Sequence, residues 1–144
     1  MFKKILATTD GSELAQKGID QAMKLAKQLG AQLLVVSAEE PYSYANVTAY
    51  RPESFESYND RVKAETAERL EEARRLAERN GMTAEFLPVK GNTPAEAILE
   101  ACRSRGCDLI VMATHGRSGL SAVLLGSVTA KVIKESPVPV LVVR

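Results

Sequence analysis

The sequence predicts an α/β protein with a single doubly wound sheet of five parallel strands and helices on both faces. Short apolar runs alternate strictly with longer amphipathic stretches, which gives five strand patterns and four helix patterns. Helical crossovers of this length favour parallel strands joined by right-handed connections. Residues 33–36 are apolar without interruption, which is typical of a parallel strand covered on both faces.

The strand and helix patterns follow one another in a regular order. The strands are predicted at residues 4–9, 32–38, 83–89, 107–113 and 138–143. The helices are predicted at residues 12–29, 58–80, 94–105 and 127–135. Gly30 and Gly81 end the first two helices, while Thr93 and Pro94 supply a capping side chain and a first-turn proline for the third.

The second helix is predicted to have one apolar face and one charged face. The pairs Glu65–Arg69 and Glu71–Arg75 have the i,i+4 spacing of ion pairs on a solvated surface. The residues predicted to face inward are Val62, Ala67, Leu70, Ala73 and Leu76.

Composition and charge exclude several functional classes. The 144 residues fit one domain, residues 1–144, and 19 basic against 18 acidic residues argue against a nucleic-acid-binding protein. No apolar run reaches the ~20 residues of a membrane span, and residues 1–30 lack the layout of a signal peptide. Cys102 and Cys107, with one histidine, cannot form a four-ligand zinc site and are interpreted as small packing residues. These features predict a cytoplasmic protein with reduced thiols.

Two loops carry residues that the fold alone does not explain. One is residues 8–12 after the first strand, and the other is residues 113–119 after the fourth. In doubly wound sheets, ligands bind at the carboxyl ends of the strands where the strand order reverses. If strands one and four are neighbours, the two loops face each other across one crevice.

The second loop and the following helix have the chemistry of an anion cradle. Gly116, Gly119 and Gly126 allow the backbone to approach a phosphate closely. Ser127 and Thr129 then open a helix whose N–H groups and positive dipole end favour negative charge. A glycine-bearing loop with a serine N-cap is the purely structural alternative, and spacing alone does not separate the two interpretations.

Common phosphate-binding fingerprints are absent. No glycine is followed by Lys-Ser or Lys-Thr, as a Walker A loop requires. No Gly-x-Gly-x-x-Gly run follows a strand either. Fast phosphoryl transfer is therefore not predicted, although slow ATP hydrolysis stays open. His115, the only histidine, has no evident nucleophile partner.

Several motifs in order resemble the universal stress protein family. The segment Ala113-Thr114-His115-Gly116, nine further residues and then Gly126-Ser127 resembles the family's Gly-x-x-Gly-x9-Gly-Ser/Thr loop. The resemblance covers essentially the whole chain, from the Asp-Gly-Ser of residues 10–12 to the apolar run at residues 136–143. It implies the Rossmann-like, adenine nucleotide α-hydrolase-like fold and the ATP-binding kind of universal stress protein.

The resemblance also implies roles for particular residues. The glycine loop and the start of the last helix would hold the phosphates. Arg117 in this loop is interpreted from its position either as screening phosphate charge or as a solvated loop arginine. Asp10 and Thr9 would meet the ribose and adenine end, and the backbone of Ala38 would meet adenine. Helix capping and Mg²⁺ binding are the alternatives for Asp10. The candidate binding residues are Thr9, Asp10, Ala38, Ala113, Gly116, Arg117, Gly119, Gly126, Ser127, Val128 and Thr129.

Ala113 departs from the family pattern because it stands where the loop has its first glycine. A negative φ at this position would make the change mild, whereas a positive φ would weaken binding.

The resemblance further implies a homodimer that pairs residues 138–143 of two copies. ATP, or else ADP or AMP, with Mg²⁺ as a compatible ion, would act as a stress-response signal by shifting conformational populations. The alternative is a module that binds a protein partner, not a nucleotide, through the dimer surface and the tyrosine-rich residues 39–58.

Overall fold

The computed structural model describes residues 1–42, 53–116 and 125–144. Within these ranges the strands are β1 (Lys4–Thr8), β2 (Gln32–Ala38), β3 (Glu85–Val89), β4 (Leu109–Ala113) and β5 (Val140–Val143). The helices are α1 (Glu13–Leu29), α2 (Phe55–Arg79), α3 (Pro94–Ser104) and α4 (Ser127–Glu135). The bounds of β2 and α4 match the predicted ones, and β3, β4 and β5 each begin two residues later than predicted.

The five strands form one parallel sheet in the order β3-β2-β1-β4-β5. The central strand is β1, where Ile5 pairs with Leu33 on one side and with Leu109 on the other. The chain runs outward from β1 through β2 to β3 and then returns to the other side of β1 for β4 and β5. The strand order therefore reverses between β1 and β4. The predicted crevice depended on these two strands being neighbours, and they are.

Helices cover both faces of the sheet, which confirms the doubly wound architecture. α1 and α2 pack on one face around Ile19 and Leu70, and α3 and α4 pack on the other around Ile98. Ile5 and Leu6 are fully buried and belong to opposite cores, because successive side chains of a strand point to opposite faces.

α2 begins earlier than the sequence predicts. It starts at Phe55, because Ser54 Oγ accepts a hydrogen bond from the backbone N–H of Ser57 at 3.1 Å. A serine N-cap of this kind satisfies one of the four amides that a helix leaves unbonded in its first turn. None of the described helices is long and apolar enough to cross a membrane.

The buried face of α2 is rotated slightly from the predicted one. Ala67 was predicted to face inward, and this was wrong because its side chain is exposed. Thr66 is fully buried instead, and its hydroxyl donates to the carbonyl of Val62 at 2.8 Å. This bond satisfies a polar group that the apolar pattern had placed outside. The buried residues of α2 are Tyr58, Val62, Thr66, Leu70, Ala73 and Ala77.

The charged pairs on α2 agree with the prediction in part. Arg69 lies 3.6 Å from Glu65, which is one of the two predicted pairs. Arg74, rather than Arg75, is the arginine that pairs with Glu71, at 3.5 Å and with i,i+3 spacing. The Arg74–Glu71 pair is about half exposed, so it contributes little to stability.

The two cysteines are buried in the part of the fold where α3 meets β4. The Cys102 thiol donates to the carbonyl of Cys107 at 3.5 Å. Burial raises the pKa of both thiols, to about 11 for Cys107. Both are therefore neutral at physiological pH, which supports their interpretation as small packing residues.

Candidate functional site

A cleft of about 690 Å³ opens at the carboxyl edge of the sheet, where β1 and β4 lie side by side. Both predicted loops contribute to its lining. Arg117 and Gly119 lie outside the described residues. The other nine candidate residues all line the cleft: Thr9, Asp10, Ala38, Ala113, Gly116, Gly126, Ser127, Val128 and Thr129.

The two loops contact each other at Asp10 and Gly116. Asp10 Oδ1 accepts a hydrogen bond from the backbone N–H of Ser12 at 3.0 Å, while Ser12 itself caps α1 through Ala15. The structure thus assigns the helix cap to Ser12 and a turn-forming contact to Asp10. A Cβ built on Gly116 would overlap Oδ2 of Asp10. A side chain at this position would displace the Asp10 carboxylate from where it lies, so glycine allows the two loops to meet.

The start of α4 carries no side-chain cap from the described residues. Its N-cap is Gly126, whereas a serine or threonine hydroxyl caps each of the other three helices. The N–H of Gly126 donates to the carbonyl of Thr114 at 2.8 Å, and Ser127 is the first helical residue. The serine N-cap alternative is therefore wrong. The first-turn amides that follow Gly126 have no helical carbonyl to bond, and their residues line the cleft.

Thr129 and Ala113 tie α4 to the end of β4. Thr129 Oγ1 donates to the carbonyl of Ala113 at 2.8 Å, and the residue is buried. The hydroxyl proton of Thr129 is thus used within the fold, which leaves the backbone N–H as its donor toward a ligand. No described residue other than glycine has a positive φ, so alanine fits position 113 without backbone strain.

α2 supplies a wall of the cleft that the sequence analysis did not predict. Arg61 on this wall bonds to Glu53 at 2.9 Å and to Glu65 at 3.0 Å, and it lies 5.2 Å from the centre of the Tyr58 ring. The hydrogen bonds that Arg61 donates to Glu53 and Glu65 raise the pKa of Arg61 above its ordinary value. In the sequence, four residues of α2 are separated by four, three and four positions, which is the spacing of residues on one face of a helix. The residues of this stripe are Tyr58, Val62, Glu65 and Arg69.

Aromatic contacts join the end of β2 to the start of α2 beside the cleft. The Tyr58 hydroxyl donates to the carbonyl of Glu40 at 3.1 Å. The Tyr42 ring lies 5.3 Å from the rings of both Phe55 and Tyr58, in edge-to-face contact. Half of the tyrosine-rich stretch, residues 43–52, lies outside the described residues.

The opposite wall of the cleft consists of the N-terminal ends of α3 and α4. Residues 93–95 at the start of α3 line the cleft together with Lys131 of α4. Thr93 caps α3 by accepting from the N–H of Glu96 at 3.2 Å, as predicted. The sequence predicted this cap but not its place in the cleft. The position of α3 directly after β3 would have indicated that its first residues lie at the same edge of the sheet as the cleft.

The comparisons with known proteins agree with this architecture. All of residues 1–144 match the model of the universal stress protein family. The chain belongs to the universal stress protein family. Universal stress protein YxiE of Bacillus subtilis is 38% identical over 149 residues, which cover 100% of both chains.

Two solved universal stress proteins resemble this one along nearly their full length. The structure described as a universal stress protein in complex with cAMP is 29% identical, covers 99% of this chain and 97% of its own, and superposes with a TM-score of 0.75. UspA of Lactobacillus plantarum is 22% identical with the same coverage and a TM-score of 0.84, which shows the shared fold. The resemblance seen in the sequence motifs, and the Rossmann-like fold that it implied, are thereby confirmed for this universal stress protein.

Proposed function

We propose that this universal stress protein binds ATP in the cleft between β1 and β4 and acts in the cytoplasm as a stress-response regulator. The observation that carries the proposal is the start of α4, where none of the described residues caps the first-turn amides with a side chain. Such amides, at the positive end of a helix dipole, form a binding site for phosphate. The cAMP complex of a relative that is 29% identical supports an adenine nucleotide as the ligand.

The two ends of the cleft differ in chemistry, and this difference orients the nucleotide. Backbone amides from Ser127 to Thr129 and the exposed Ser127 hydroxyl would hold the phosphates. Asp10 and Ala38 lie on the β1 and β2 side of the cleft, where they would meet the ribose and the adenine. Because Gly116 brings its backbone against Asp10, the phosphate and ribose subsites form one continuous surface.

The protein's response would come from binding rather than from rapid turnover. The sequence has no Walker A lysine, and Asp10 Oδ1 already accepts the N–H of Ser12. A ligand that binds one conformation more tightly than another shifts the population without any chemical step. Mg²⁺ would accompany the phosphates as their counterion.

The decisive experiment combines nucleotide analysis with one charge substitution. Ser127→Asp places a carboxylate in the first turn of α4, where it is favourable for the helix but repels phosphate. We expect the wild-type protein to bind about one ATP per subunit and Ser127→Asp to bind it at least about tenfold more weakly, measured by calorimetry. Ala130→Asp adds the same charge to an exposed position of α4 that does not line the cleft, so it serves as the control.

Two results would contradict the proposal. One is a wild-type protein that is free of nucleotide after purification and that does not bind added Mg·ATP at millimolar concentration. The other is equal weakening by Ser127→Asp and Ala130→Asp, which would show that the cleft is not the site. Either result would favour the alternative, a protein-interaction module with the same fold.

We also propose that the protein is a homodimer joined through β5. This strand lies at the edge of the sheet and pairs with β4 on one side. Leu141 on β5 is 43% exposed, and an exposed apolar edge strand favours pairing with another chain. Antiparallel pairing of two β5 strands would extend the sheet across both subunits.

A further inference from the structure

Two arginines and one lysine of the described residues line the cleft, and they lie on two different walls. Arg61 and Arg69 belong to α2, where Glu65 contacts both of them. Arg61 is further bonded to Glu53, so its charge is largely balanced within its own wall. Lys131 belongs to α4, on the wall that also carries the first-turn amides. The positive charge of Lys131 is thus added to the phosphate end of the cleft.

The position of Lys131 on α4 directs its side chain toward the start of the helix. Lys131 follows Ser127 by four residues, so the two lie on one face, about 6 Å apart along the helix axis. Long side chains on a helix point back toward the N-terminal turn. The ammonium group therefore extends toward the same end of α4 that presents its amides to the cleft.

The contacts that hold Lys131 in place are weak. Its Nζ lies 3.5 Å from Thr93 Oγ1 and 3.6 Å from Glu96 Oε1. The first distance is at the limit of a hydrogen bond, and the second belongs to an ion pair whose side chains are 37% and 47% exposed. Exposed pairs of this kind contribute about 1 kcal/mol or less. The ammonium group can leave these partners for a stronger acceptor at little cost.

The surroundings of Lys131 favour additional negative charge. Thr93 is the N-cap of α3, so the ammonium group lies at the positive dipole end of α3. The amides at the start of α4 would satisfy a single phosphate group. A second and a third phosphate extend the negative charge beyond these amides and need a cation that can follow them.

We propose that Lys131 binds the outer phosphate groups and thereby makes the site select nucleoside diphosphates and triphosphates over monophosphates. This inference rests on the proposed function, because it assigns a specificity-determining residue within the same cleft. On binding, the ammonium group exchanges Thr93 and Glu96 for phosphate oxygens. No bond is made or broken in the nucleotide.

The test compares ATP, ADP and AMP binding to three proteins by calorimetry. Lys131→Met removes the charge and keeps an unbranched side chain that is compatible with a helix. We expect it to weaken ATP and ADP binding about tenfold or more and to change AMP binding less than about twofold. Lys134→Met is the matched control, because Lys134 is exposed on the same helix and does not line the cleft; it should bind all three as the wild type does.

AMP affinity also serves as the internal measure of an intact site. Equal weakening of ATP and AMP by Lys131→Met, or unchanged binding of all three nucleotides, would overturn the inference while leaving the proposed function intact. Lys131→Arg should restore most of the preference for ATP, because it restores the charge. A wild-type protein that binds none of the three nucleotides would overturn the proposed function and this inference together.

Discussion

Gly116 shows how one residue joins two distant parts of the chain. Its missing side chain leaves room for the carboxylate of Asp10, which is separated from it by more than 100 residues of sequence. The sequence motif predicts a glycine here for phosphate binding. The structure adds a second reason, since a side chain here would displace the Asp10 carboxylate whether or not a nucleotide is bound.

Ser37 is a buried residue whose hydroxyl lacks a partner among the described residues. Its Oγ is fully buried in β2, and it has no hydrogen-bond partner in the part of the chain that the structure describes. Removing an unsatisfied buried polar group removes its desolvation cost. We expect Ser37→Ala to leave the free energy of unfolding unchanged or to raise it by up to about 1 kcal/mol in urea titration.

Ser12→Ala is the matched control for this prediction, because it deletes the same hydroxyl from a position where it is bonded. Ser12 Oγ accepts the N–H of Ala15 at 3.1 Å and caps α1. Its loss should lower the free energy of unfolding by about 1 kcal/mol. A comparable loss in Ser37→Ala would show that the Ser37 hydroxyl makes a stabilising bond.

At the scale of elements, Asp108 fastens the start of β1 to the segment before β4. Its carboxylate accepts the backbone N–H of Lys3 at 2.8 Å and of Lys4 at 3.1 Å, and its own N–H donates to the Lys4 carbonyl at 2.9 Å. The hydrogen bonds from Lys3 and Lys4 hold the pKa of Asp108 below its ordinary value. A carboxyl group with a lowered pKa stabilises the folded state when it is ionised.

The contribution of Asp108 to the free energy of unfolding should depend on pH. We expect Asp108→Asn to lower the free energy of unfolding by about 1 kcal/mol near neutral pH, less than a buried charge-assisted hydrogen bond contributes, because solvent screens this partly exposed carboxylate. The stabilisation by Asp108 is complete above the unfolded pKa, about 4, and is lost as the pH falls through the lower folded pKa. The difference between the two proteins should therefore shrink below about pH 4, as measured by urea titration at a series of pH values.

Asp60→Asn provides the control for the change of charge, because Asp60 is exposed on α2. It removes the same charge, and we expect a much smaller difference at neutral pH. A difference between Asp108→Asn and the wild type that stays constant through the acidic range would contradict the assigned bonds to Lys3 and Lys4.

At the same scale, α2 shows what periodicity predicts and what it does not. The helix itself and most of its buried stripe follow from the spacing of Val62, Leu70 and Ala73. Thr66 is buried and Ala67 exposed because the Thr66 hydroxyl finds the Val62 carbonyl within its own helix. A hydropathy pattern assigns threonine to the surface, since it does not include this local bond.

For the whole molecule, β5 determines the expected assembly. We expect the wild-type protein to elute as a dimer of 15.6 kDa subunits in light-scattering chromatography. Leu141→Lys places a charge on the exposed face of the edge strand and should give a monomer, because lysine on an edge strand opposes pairing. Leu29→Lys makes the same change at an exposed residue that ends α1, and it should remain dimeric. A monomeric wild type at micromolar concentration, or dimers from both variants, would contradict pairing through β5.

The sequence by itself determined the fold class, the succession of strands and helices, and the loops that meet in the cleft. These follow from local periodicity, capping residues and glycines, which act over a few neighbouring residues. Only the tertiary structure decided that β4 lies beside β1, that Asp10 touches Gly116, and that α2 and Lys131 enter the cleft. The physical reason is that strand order and the walls of a cleft depend on packing between segments far apart in the chain, which local patterns do not encode.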